Sequence, residues 1–330
     1  MNNYLRTRPR RLRYNPIIRS MVQNTRLHID NFILPLFIKH GTNVKVAIPG
    51  MPGHYQISID NLEAEIKEIV SLGIRAVILF GIPAYKDEVG SSSVDIYGII
   101  PQAIKQIKKL APNLLVIADI CMCEYTSHGH CGIIENNDVD NDQTLPLLAK
   151  QAIVFAESGV DIVAPSGMMD GAVNAIRKIL DINNYAKIPI IGYSVKYASA
   201  LYGPFRAAAE GAPKFGDRRS YQADYCNPNE AIKEVALDIE EGVDMIMIKP
   251  AHCYLDIIYK IKQLHPEIPI VAYHTSGEYA MIKAASQNNW LDEKQAVIEI
   301  NTAIKRAGAD IIISYYTKYL AKILLENKLE

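Results

Sequence analysis

The amino-acid sequence predicts an α/β protein folded as a (β/α)8 barrel, the TIM-barrel architecture, and three observations support this prediction. Short apolar runs rich in β-branched residues alternate with helix-like segments along the chain. The runs are continuously apolar, which is typical of strands buried on both faces of a parallel sheet. Eight strands separated by helices favour a closed barrel over an open sheet. The runs lie at 33–38, 76–80, 114–118, 161–164, 188–192, 245–248, 268–272 and 310–314.

Turn and helix signals mark the boundaries of these elements in order. Glycines precede the second, fourth, sixth and eighth runs, at Gly73, Gly159, Gly242 and Gly308. After the first run, residues 61–71 place apolar side chains on one helical face, made by Leu62, Ile66, Ile69 and Val70. Before the sixth run, an N-cap, a first helical residue and a capping-box acid are supplied by Asn227, Pro228 and Glu230. This helix is expected to end near Gly242.

The composition fits a cytoplasmic protein with a large core. The chain has 330 residues, 49% of them hydrophobic, and its net charge of -1 indicates no general attraction to nucleic acid or membrane. No apolar run approaches the length of a membrane span, and the N-terminus lacks the apolar core of a secretion signal. Five cysteines, an odd number in a long chain, suit a reducing compartment.

Two segments lie outside the alternating pattern. Residues 1–29 carry seven arginines and no acidic residue before the first run, and residues 197–226 form a long polar connection after the fifth. A connection of this length inside a compact barrel is usually a functional lid or a disordered insert. We therefore expect an N-terminal arm over 1–29 and a single barrel domain over 30–330, with a lid around 197–226.

The third run leads directly into a cluster of thiols. Cys121, Cys123 and Cys131 lie within eleven residues, with His128 and His130 between the last two. Three thiolates predict a zinc ion whose fourth position is left open for chemistry. A disulfide or buried loop thiols are the alternatives, but a Cys-x-Cys pair does not easily meet bridge geometry. Cys226 and Cys253 are expected to be ordinary thiols.

Barrel active sites lie at the carboxyl ends of the strands, and these ends are chemically unusual here. In chain order they place Asp119, Ser166, Lys196, Lys249, the segment 273–276 and Tyr315 at one end of the barrel. Polar residues there can merely mark where a strand meets water. That alternative explains single positions better than it explains a thiol cluster with two lysines.

Lys249 is the stronger candidate nucleophile. It follows an apolar approach over 245–248, so desolvation should lower its pKa and leave free amine near neutral pH. A free amine attacks a ketone to form a Schiff base. Lys196 occupies the corresponding place one strand earlier, where each cation would lower the pKa of the other. A salt-bridged or snorkelling lysine at the rim is the alternative for either residue alone.

Taken together, these residues resemble the porphobilinogen synthase (5-aminolevulinate dehydratase) family of the tetrapyrrole pathway. The similarity runs from residues 10–13 to the C-terminal helix. Its motifs lie at 121–132, 164–171, 196–199, 202–206, 247–251, 276–280 and 305–310. The resemblance implies a lyase of heme biosynthesis that condenses two 5-aminolevulinate molecules into porphobilinogen and releases two waters.

The resemblance also implies a role for each candidate residue. Lys249 would form the Schiff base with the substrate that becomes the propionate side of the product, here called the P side. Lys196 would form or assist the Schiff base of the acetate side, the A side. The implied substrate-binding residues are Asp119 and Ser166 for the P-side amine, Ser276 and Tyr315 for the P-side carboxylate, and Arg206, Arg218 and Gln222 for the A-side carboxylate, with Tyr202, Phe205 and Tyr273 also expected in the set.

Metal use and assembly follow from the same resemblance. Relatives with aspartates in the thiol loop rely on magnesium, so Cys121, Cys123 and Cys131 place this chain with the zinc-dependent branch. Glu234 falls at the family's allosteric magnesium position, with a solvated helix carboxylate as the alternative. Family members wrap the N-terminal arm around a neighbouring barrel and form homo-octamers from dimers. The apolar residues of 1–29 suit such an arm, whereas a disordered basic tail is the alternative.

Three departures from the family pattern stand out. Gly167 replaces the usual Asp, Ser220 replaces a cysteine that holds a second zinc in some relatives, and His252 with Cys253 replaces smaller residues. Two rival functions remain open. A Schiff-base aldolase would use Lys249 but would not need three thiolates. A zinc-stabilised nucleic-acid-binding protein would explain the arginines and cysteines but neither the strand-end lysines nor the lid.

Overall fold

The computed structural model describes residues 6–326, and this part of the chain contains twelve strands. Eight are parallel and follow the predicted apolar runs, whereas four are short strands that were not predicted and form two antiparallel pairs, one of which also adds a parallel strand beside the first barrel strand. The strands are β1 (Phe32–Lys39), β2 (Lys45–Ala47), β3 (Tyr55–Ile57), β4 (Ala76–Ile82), β5 (Leu115–Ile120), β6 (Ile133–Glu135), β7 (Asp138–Asp140), β8 (Ile162–Pro165), β9 (Ile191–Lys196), β10 (Met245–Lys249), β11 (Ile270–His274) and β12 (Ile311–Ser314).

Helices alternate with the parallel strands. Their bounds are α1 (Pro16–Met21), α2 (Leu62–Ser71), α3 (Ile99–Leu110), α4 (Asn141–Glu157), α5 (Ala172–Ile182), α6 (Gly203–Ala208), α7 (Pro228–Glu240), α8 (Leu255–Leu264), α9 (Ser276–Gln287), α10 (Glu293–Ala307) and α11 (Thr317–Glu326). Apart from α1 and α6, each follows or precedes a barrel strand in the order of a (β/α)8 fold. No helix in the range 6–326 is long and apolar enough to cross a membrane.

The parallel strands close into the predicted barrel. Their order is β8-β5-β4-β1-β12-β11-β10-β9, and every neighbouring pair is parallel. The ring closes where Val163 of β8 bridges Ile190, just before β9, and Val163 N donates to Pro189 O at 3.2 Å. Residues 32–38 of β1 are all buried, as expected for a strand covered on both faces.

The fifth predicted strand is displaced toward its polar end. The apolar run 188–192 predicted a strand there, but β9 begins at Ile191 and continues to Lys196. Pro189 has no N–H for a ladder hydrogen bond, so regular pairing starts after it. The strand then continues through Ser194 and Lys196 because it pairs with β10 as far as the bond from Tyr197 N to Lys249 O, 3.0 Å.

Two local helix predictions were wrong in detail. Val70 of α2 is exposed, while Leu62, Ile66 and Ile69 form the buried face. The capping box predicted at the start of α7, which lies within residues 6–326, does not form. Pro228 does open the helix, but Asn227 makes no side-chain cap, and the Glu230 carboxylate accepts from Asp224 N at 3.4 Å. The Glu230 side chain therefore binds the backbone of the loop before α7 instead of the N-cap residue.

The segment predicted as a lid is folded. It contains a short 3-10 helix (Ala200–Tyr202), α6 and a parallel bridge between Tyr197 and Ala223. That bridge returns the chain to the end of β9, because Ala223 N donates to Lys196 O at 3.0 Å. The connection is thus a loop with both ends held at the carboxyl end of β9.

The described part of the predicted arm, residues 6–29, contains a 3-10 turn (Pro9–Leu12) and α1, whereas residues 1–5 lie outside the described chain. Asn15 caps α1 by accepting from Ile17 N at 2.8 Å. Leu27 packs against the barrel core. The apolar residues further out are exposed in the single chain, namely Leu12, Tyr14, Ile17, Met21 and Val22.

Candidate active site

Two lysines stand side by side at the carboxyl end of the barrel. Lys196 ends β9, Lys249 ends β10, and the two residues are register partners. Both are buried, with 5% and 3% of their surface exposed. A lysine is almost never buried without a partner or a function. The structure thus brings together the two strand-end lysines that the sequence singled out.

Aromatic rings surround the amine of Lys249. Four ring centroids lie 4.0 to 5.3 Å from its Nζ, those of Tyr273, Phe205, Tyr193 and Tyr202. Ring faces attract a cation by only about 0.5–2 kcal/mol, whereas burial removes the hydration of the charge. Burial, together with the nearby cation of Lys196, lowers the pKa of Lys249 to about 7. A large fraction of this amine is therefore unprotonated and nucleophilic at neutral pH.

A carboxylate and a hydroxyl form a polar pair beside the lysines. Ser166 Oγ donates to Asp119 Oδ2 at 2.9 Å, and Lys196 Nζ donates to Ser166 O at 2.5 Å. Asp119 Oδ1 is buried and finds no hydrogen-bond partner among residues 6–326. Burial and the neighbouring carboxylate of Glu124 raise the pKa of Asp119 to about 7. An unpaired carboxylate oxygen at this position suits a ligand amine.

The three predicted thiols converge at the end of β5. Their Sγ atoms lie within 4.8 Å of one another, with Cys121 and Cys123 separated by 3.3 Å, and all three are free and buried. Sulfurs bound to one tetrahedral zinc at ~2.3 Å lie about 3.8 Å apart, so this geometry fits a shared ion. The structure contains no disulfide among the five cysteines, all of which lie within residues 6–326, and Cys226 and Cys253 are exposed.

Glu124 is a site residue that the sequence reasoning missed. Its Oε2 lies 3.3 Å from Cys123 Sγ, and one of its carboxylate oxygens is within 4.8 Å of ligand atoms of both Asp119 and Cys121. It is buried, with 2% of its surface exposed. Its position directly after Cys123 in a run of metal-binding residue types was the available signal. Glu124 links the thiol cluster to the carboxylate beside the lysines.

The connection predicted as a lid contributes the two arginines predicted for the site, Arg206 and Arg218. Arg206 is half-buried and Arg218 is buried, and neither forms an ion pair with any Asp or Glu of residues 6–326. Burial and the positive charge of Arg218 lower the pKa of Arg206. Gln222 is buried with both amide atoms unpaired in the described chain. Unpaired buried donors next to two cations are the features of an anion-binding pocket.

The remaining predicted residues line the side of the mouth near β11 and β12. The hydroxyls of Tyr273 and Tyr315 lie 3.0 Å apart. Ser276 Oγ accepts from Phe205 N at 3.0 Å, which ties α9 to the lid helix α6. Tyr202 OH donates to Tyr197 O at 2.8 Å and approaches Lys249 O at 3.1 Å, so this hydroxyl supports the backbone of the lysine.

Glu234 lies apart from the mouth, on α7. It is half-buried near Asp170 and Asp238, and burial with these neighbours raises its pKa to about 7. It lines a cavity of about 310 Å³ together with Asp170, Glu230 and Arg219. Within residues 6–326 no Lys or Arg pairs with these acids at ion-pair distance. The cavity could accept a cation.

The backbone at Gly167 leaves room for a side chain. A Cβ at Gly167 would lie 3.6 Å from Cys131 O and 3.7 Å from Met169 Cγ, which is ordinary contact, so a side chain has room there. Tyr193 contacts both lysines but was missed because it follows the apolar run that predicted its strand.

The other departures from the family pattern lie at Ser220, His252 and Cys253. Ser220 Oγ donates to Asp138 Oδ1 at 2.7 Å. Nothing in the structure explains His252 and Cys253.

Comparison with known proteins identifies relatives of this chain. The family model for delta-aminolevulinic acid dehydratase matches residues 6–323. The delta-aminolevulinic acid dehydratase of Halalkalibacterium halodurans is 53% identical over 321 residues, which cover 97% of this chain and 98% of the relative. That of Bacillus subtilis is 49% identical over 319 residues, with coverage of 97% and 98%.

A solved structure agrees with these relatives. The delta-aminolevulinic acid dehydratase (porphobilinogen synthase) of Toxoplasma gondii, crystallised with the reaction product porphobilinogen, superposes with a TM-score of 0.95. It is 40% identical in sequence, and the match covers 98% of this chain and 93% of that one. The barrel, its order and nearly the full length of the chain are therefore shared. The chain belongs to the delta-aminolevulinic acid dehydratase family.

Proposed function

We propose that the mouth of the barrel condenses two molecules of 5-aminolevulinate through Schiff bases on Lys249 and Lys196. The activity itself follows from family membership: the chain is a 5-aminolevulinate dehydratase, a hydro-lyase that forms porphobilinogen in heme biosynthesis. The roles of individual residues, the metal and the assembly are our proposals. They are supported by the contacts described above.

Lys249 is the P-side nucleophile in this proposal. Its neutral amine adds to the ketone carbon of one 5-aminolevulinate, and loss of water leaves a Schiff base. The lowered pKa of Lys249 supplies the neutral amine, and the surrounding rings exclude water from the adduct. The unpaired oxygen of Asp119 and the hydroxyl of Ser166 hold the substrate amine. Ser276 and Tyr315 hold its carboxylate.

The A side is formed by Lys196 and the lid. Lys196 forms or assists the second Schiff base, in contact with Ser166 and the ring of Tyr193. Arg206, Arg218 and Gln222 bind the second carboxylate, because a buried anion there would satisfy donors that are otherwise unpaired. Two substrates held in this way react as one oriented unit instead of through a bimolecular collision.

Zinc is the metal that the three thiols favour. Cys121, Cys123 and Cys131 would hold it and leave one position open. When bound, zinc supplies a Lewis acid that polarises a carbonyl or lowers the pKa of a bound water. Glu124 and Asp119 bring carboxylates to the edge of this site, where they can hold protons or a substrate amine. A Schiff-base aldolase would have no use for such a thiol cluster.

Magnesium at Glu234 and an octameric assembly complete the proposal. The cavity beside Glu234 gathers carboxylates from α7 and from the loop that carries Asp170, which supports a hard divalent cation. The arm of residues 1–29 exposes apolar side chains on α1 and its flanks, which supports docking on a neighbouring chain in a homo-octamer. Both assignments extend the family resemblance and are independent of the lysine chemistry.

The juxtaposition of two buried lysines in register carries the proposed mechanism. Its first test is product formation. Purified protein supplied with zinc and 5-aminolevulinate should release a pyrrole, detected by its coloured adduct with an aromatic aldehyde. Lys249→Ala should release none. A protein that makes no pyrrole under any metal condition would contradict the proposal, and a cleavage product from an aldol substrate would favour the aldolase.

A further inference from the structure

The lid and the thiol loop form a single packed unit. Lys214 N donates to His128 O at 2.9 Å, and Arg218 Nη2 donates to Gly129 O at 2.8 Å. Gly129 has φ +74°, and a Cβ there would stand 2.2 Å from the carbonyl oxygen of Ala212. The lid backbone therefore rests directly on the thiol loop, at a position that only glycine can occupy.

His130 stands at the centre of this contact. It is buried, and both ring nitrogens bond to the lid: Nε2 lies 3.0 Å from Phe215 O, and Nδ1 lies 3.0 Å from Tyr221 OH. A carbonyl only accepts, so Nε2 carries a proton and donates to Phe215 O. In the neutral ring Nδ1 then accepts from the Tyr221 hydroxyl. The imidazole also packs against the Phe215 ring, with centroids 4.5 Å apart.

The other end of this contact reaches the thiols. Tyr221 is the partly buried side chain that packs against the cluster of Cys121, Cys123 and Cys131. His130 is the chain neighbour of Cys131, and its carbonyl accepts from Thr126 Oγ1 at 2.9 Å within the same loop. One hydrogen bond, Tyr221 OH to His130 Nδ1, thus joins a lid residue that touches the thiols to a loop residue beside one of them.

We propose that the His130–Tyr221 hydrogen bond couples metal binding in the thiol loop to closure of the lid. A metal fixes the loop that carries His130, and the fixed imidazole then holds Tyr221 and the segment 211–222 over the site. That segment presents Arg218 and Gln222, so the second carboxylate meets its donors only when the loop is ordered. His130 and Tyr221 are positioning residues in this account. The inference rests on the proposed zinc site.

Coupling of this kind is reciprocal. Zinc should stabilise the closed position of segment 211–222. A substrate carboxylate that holds this segment closed should in turn strengthen zinc binding by the same factor. A hydrogen bond between neutral groups contributes about 1 kcal/mol, which corresponds to roughly a fivefold change in an equilibrium. Tyr221→Phe removes this bond and keeps the ring against the thiols. Tyr225→Phe, at an exposed tyrosine of the same connection, is the matched control.

Amide hydrogen exchange of the full-length protein tests the proposal. Exchange of 211–222 is measured in metal-stripped and zinc-reloaded protein, with bound zinc counted in parallel. Zinc should slow exchange of the wild-type lid, and the slowing should be roughly fivefold smaller in Tyr221→Phe but unchanged in Tyr225→Phe. His130→Gln should reproduce the loss and gives a second variant if Tyr221→Phe does not fold. Steady-state KM should rise in both variants more than kcat falls.

The outcomes separate the two proposals. Zinc that binds to the wild-type protein without slowing lid exchange would overturn the coupling alone. Equal protection in the wild type and Tyr221→Phe would overturn the role of this hydrogen bond. A protein that binds no zinc at its three thiols would overturn the proposed metal site, and the coupling would fall with it.

Discussion

Lys196 and Lys249 are register partners on β9 and β10, and their ammonium groups face the same ring, with Nζ atoms 5.4 and 5.3 Å from the centroid of Tyr193. The cation of Lys196, held this close in a buried mouth, disfavours the charged form of Lys249. Burial acts in the same direction, so Lys249 has its amine free near neutral pH. The pairing of two strands thus places the two lysines side by side and makes Lys249 the proposed nucleophile.

The first prediction concerns pH. The pKa of Lys249 is lowered to about 7, so formation of its borohydride-trapped adduct should rise with pH through about 7 and level off above it. Lys196→Met removes the neighbouring cation, which should raise this pKa and move the midpoint to higher pH. Lys196→Arg keeps the charge and should leave the midpoint in place. Asp119 also has its pKa near 7, and the cation of Lys196 lowers it, so the same midpoints are compared in an Asp119→Asn background, where only Lys249 responds. An unmoved midpoint in Lys196→Met would refute the coupling of the two lysines.

The second prediction concerns the metal. Removing zinc with a strong chelator should abolish activity and leave the fold intact, because the barrel has its own apolar core. Cys131→Ser should lower activity by at least about 10–100-fold, the typical loss when only an outer partner of a metal ligand is changed. The exposed Cys226→Ser is the control and should retain activity. Circular dichroism measures whether the fold is intact, and pyrrole formation measures the activity. Full activity in the chelated protein would exclude a catalytic metal.

The third prediction concerns the lid. Arg206→Ala should raise the KM for saturation by the second substrate by roughly 10- to 100-fold, because a charged hydrogen bond contributes about 1.5–3 kcal/mol. The adduct on Lys249 should still form. Arg206 tests binding better than Arg218, whose Nη2 also holds the carbonyls of Gly129 and Gly211. Lys214→Ala, at an exposed cation of the same connection, is the control. Equal loss of adduct and turnover would indicate that the lid has a structural role only.

The fourth prediction concerns assembly. Deleting residues 1–29 should reduce the proposed octamer to smaller species, because the arm exposes apolar side chains that a neighbouring chain would bury. A variant with Ile17 and Met21 both changed to Ser keeps the arm and its arginines, and it should dissociate in the same way. Light scattering measures the mass. A large oligomer that survives both changes would show that the arm is a tail.

The barrel could be predicted because its strands are buried on both faces, so each appears as an apolar run. The residues at which the strands end were predicted less accurately than the strands themselves. β9 carries Tyr193, Ser194 and Lys196 into the mouth, and these side chains end the apolar pattern before the hydrogen bonding ends. The four short strands belong to loops without a strong apolar pattern.

The candidate site was predicted residue by residue from motifs, yet its contacts were not. Residue types at strand ends identified the lysines and thiols, because those positions share one edge of a barrel. Pairs such as Glu124 with Cys123, or His130 with Tyr221, depend on how the loops pack. His130 and Tyr221 are 91 residues apart in sequence, and no local pattern links them.

Lys249 is the proposed nucleophile, and borohydride trapping tests this role most directly. The protein is incubated with 5-aminolevulinate, reduced with borohydride and digested, and the peptides are weighed by mass spectrometry. We predict substrate mass on the peptide that contains Lys249 in the wild type and in Lys196→Ala, and none there in Lys249→Ala, which should also lack turnover. Normal turnover by Lys249→Ala, or an adduct found only on Lys196, would contradict the mechanism.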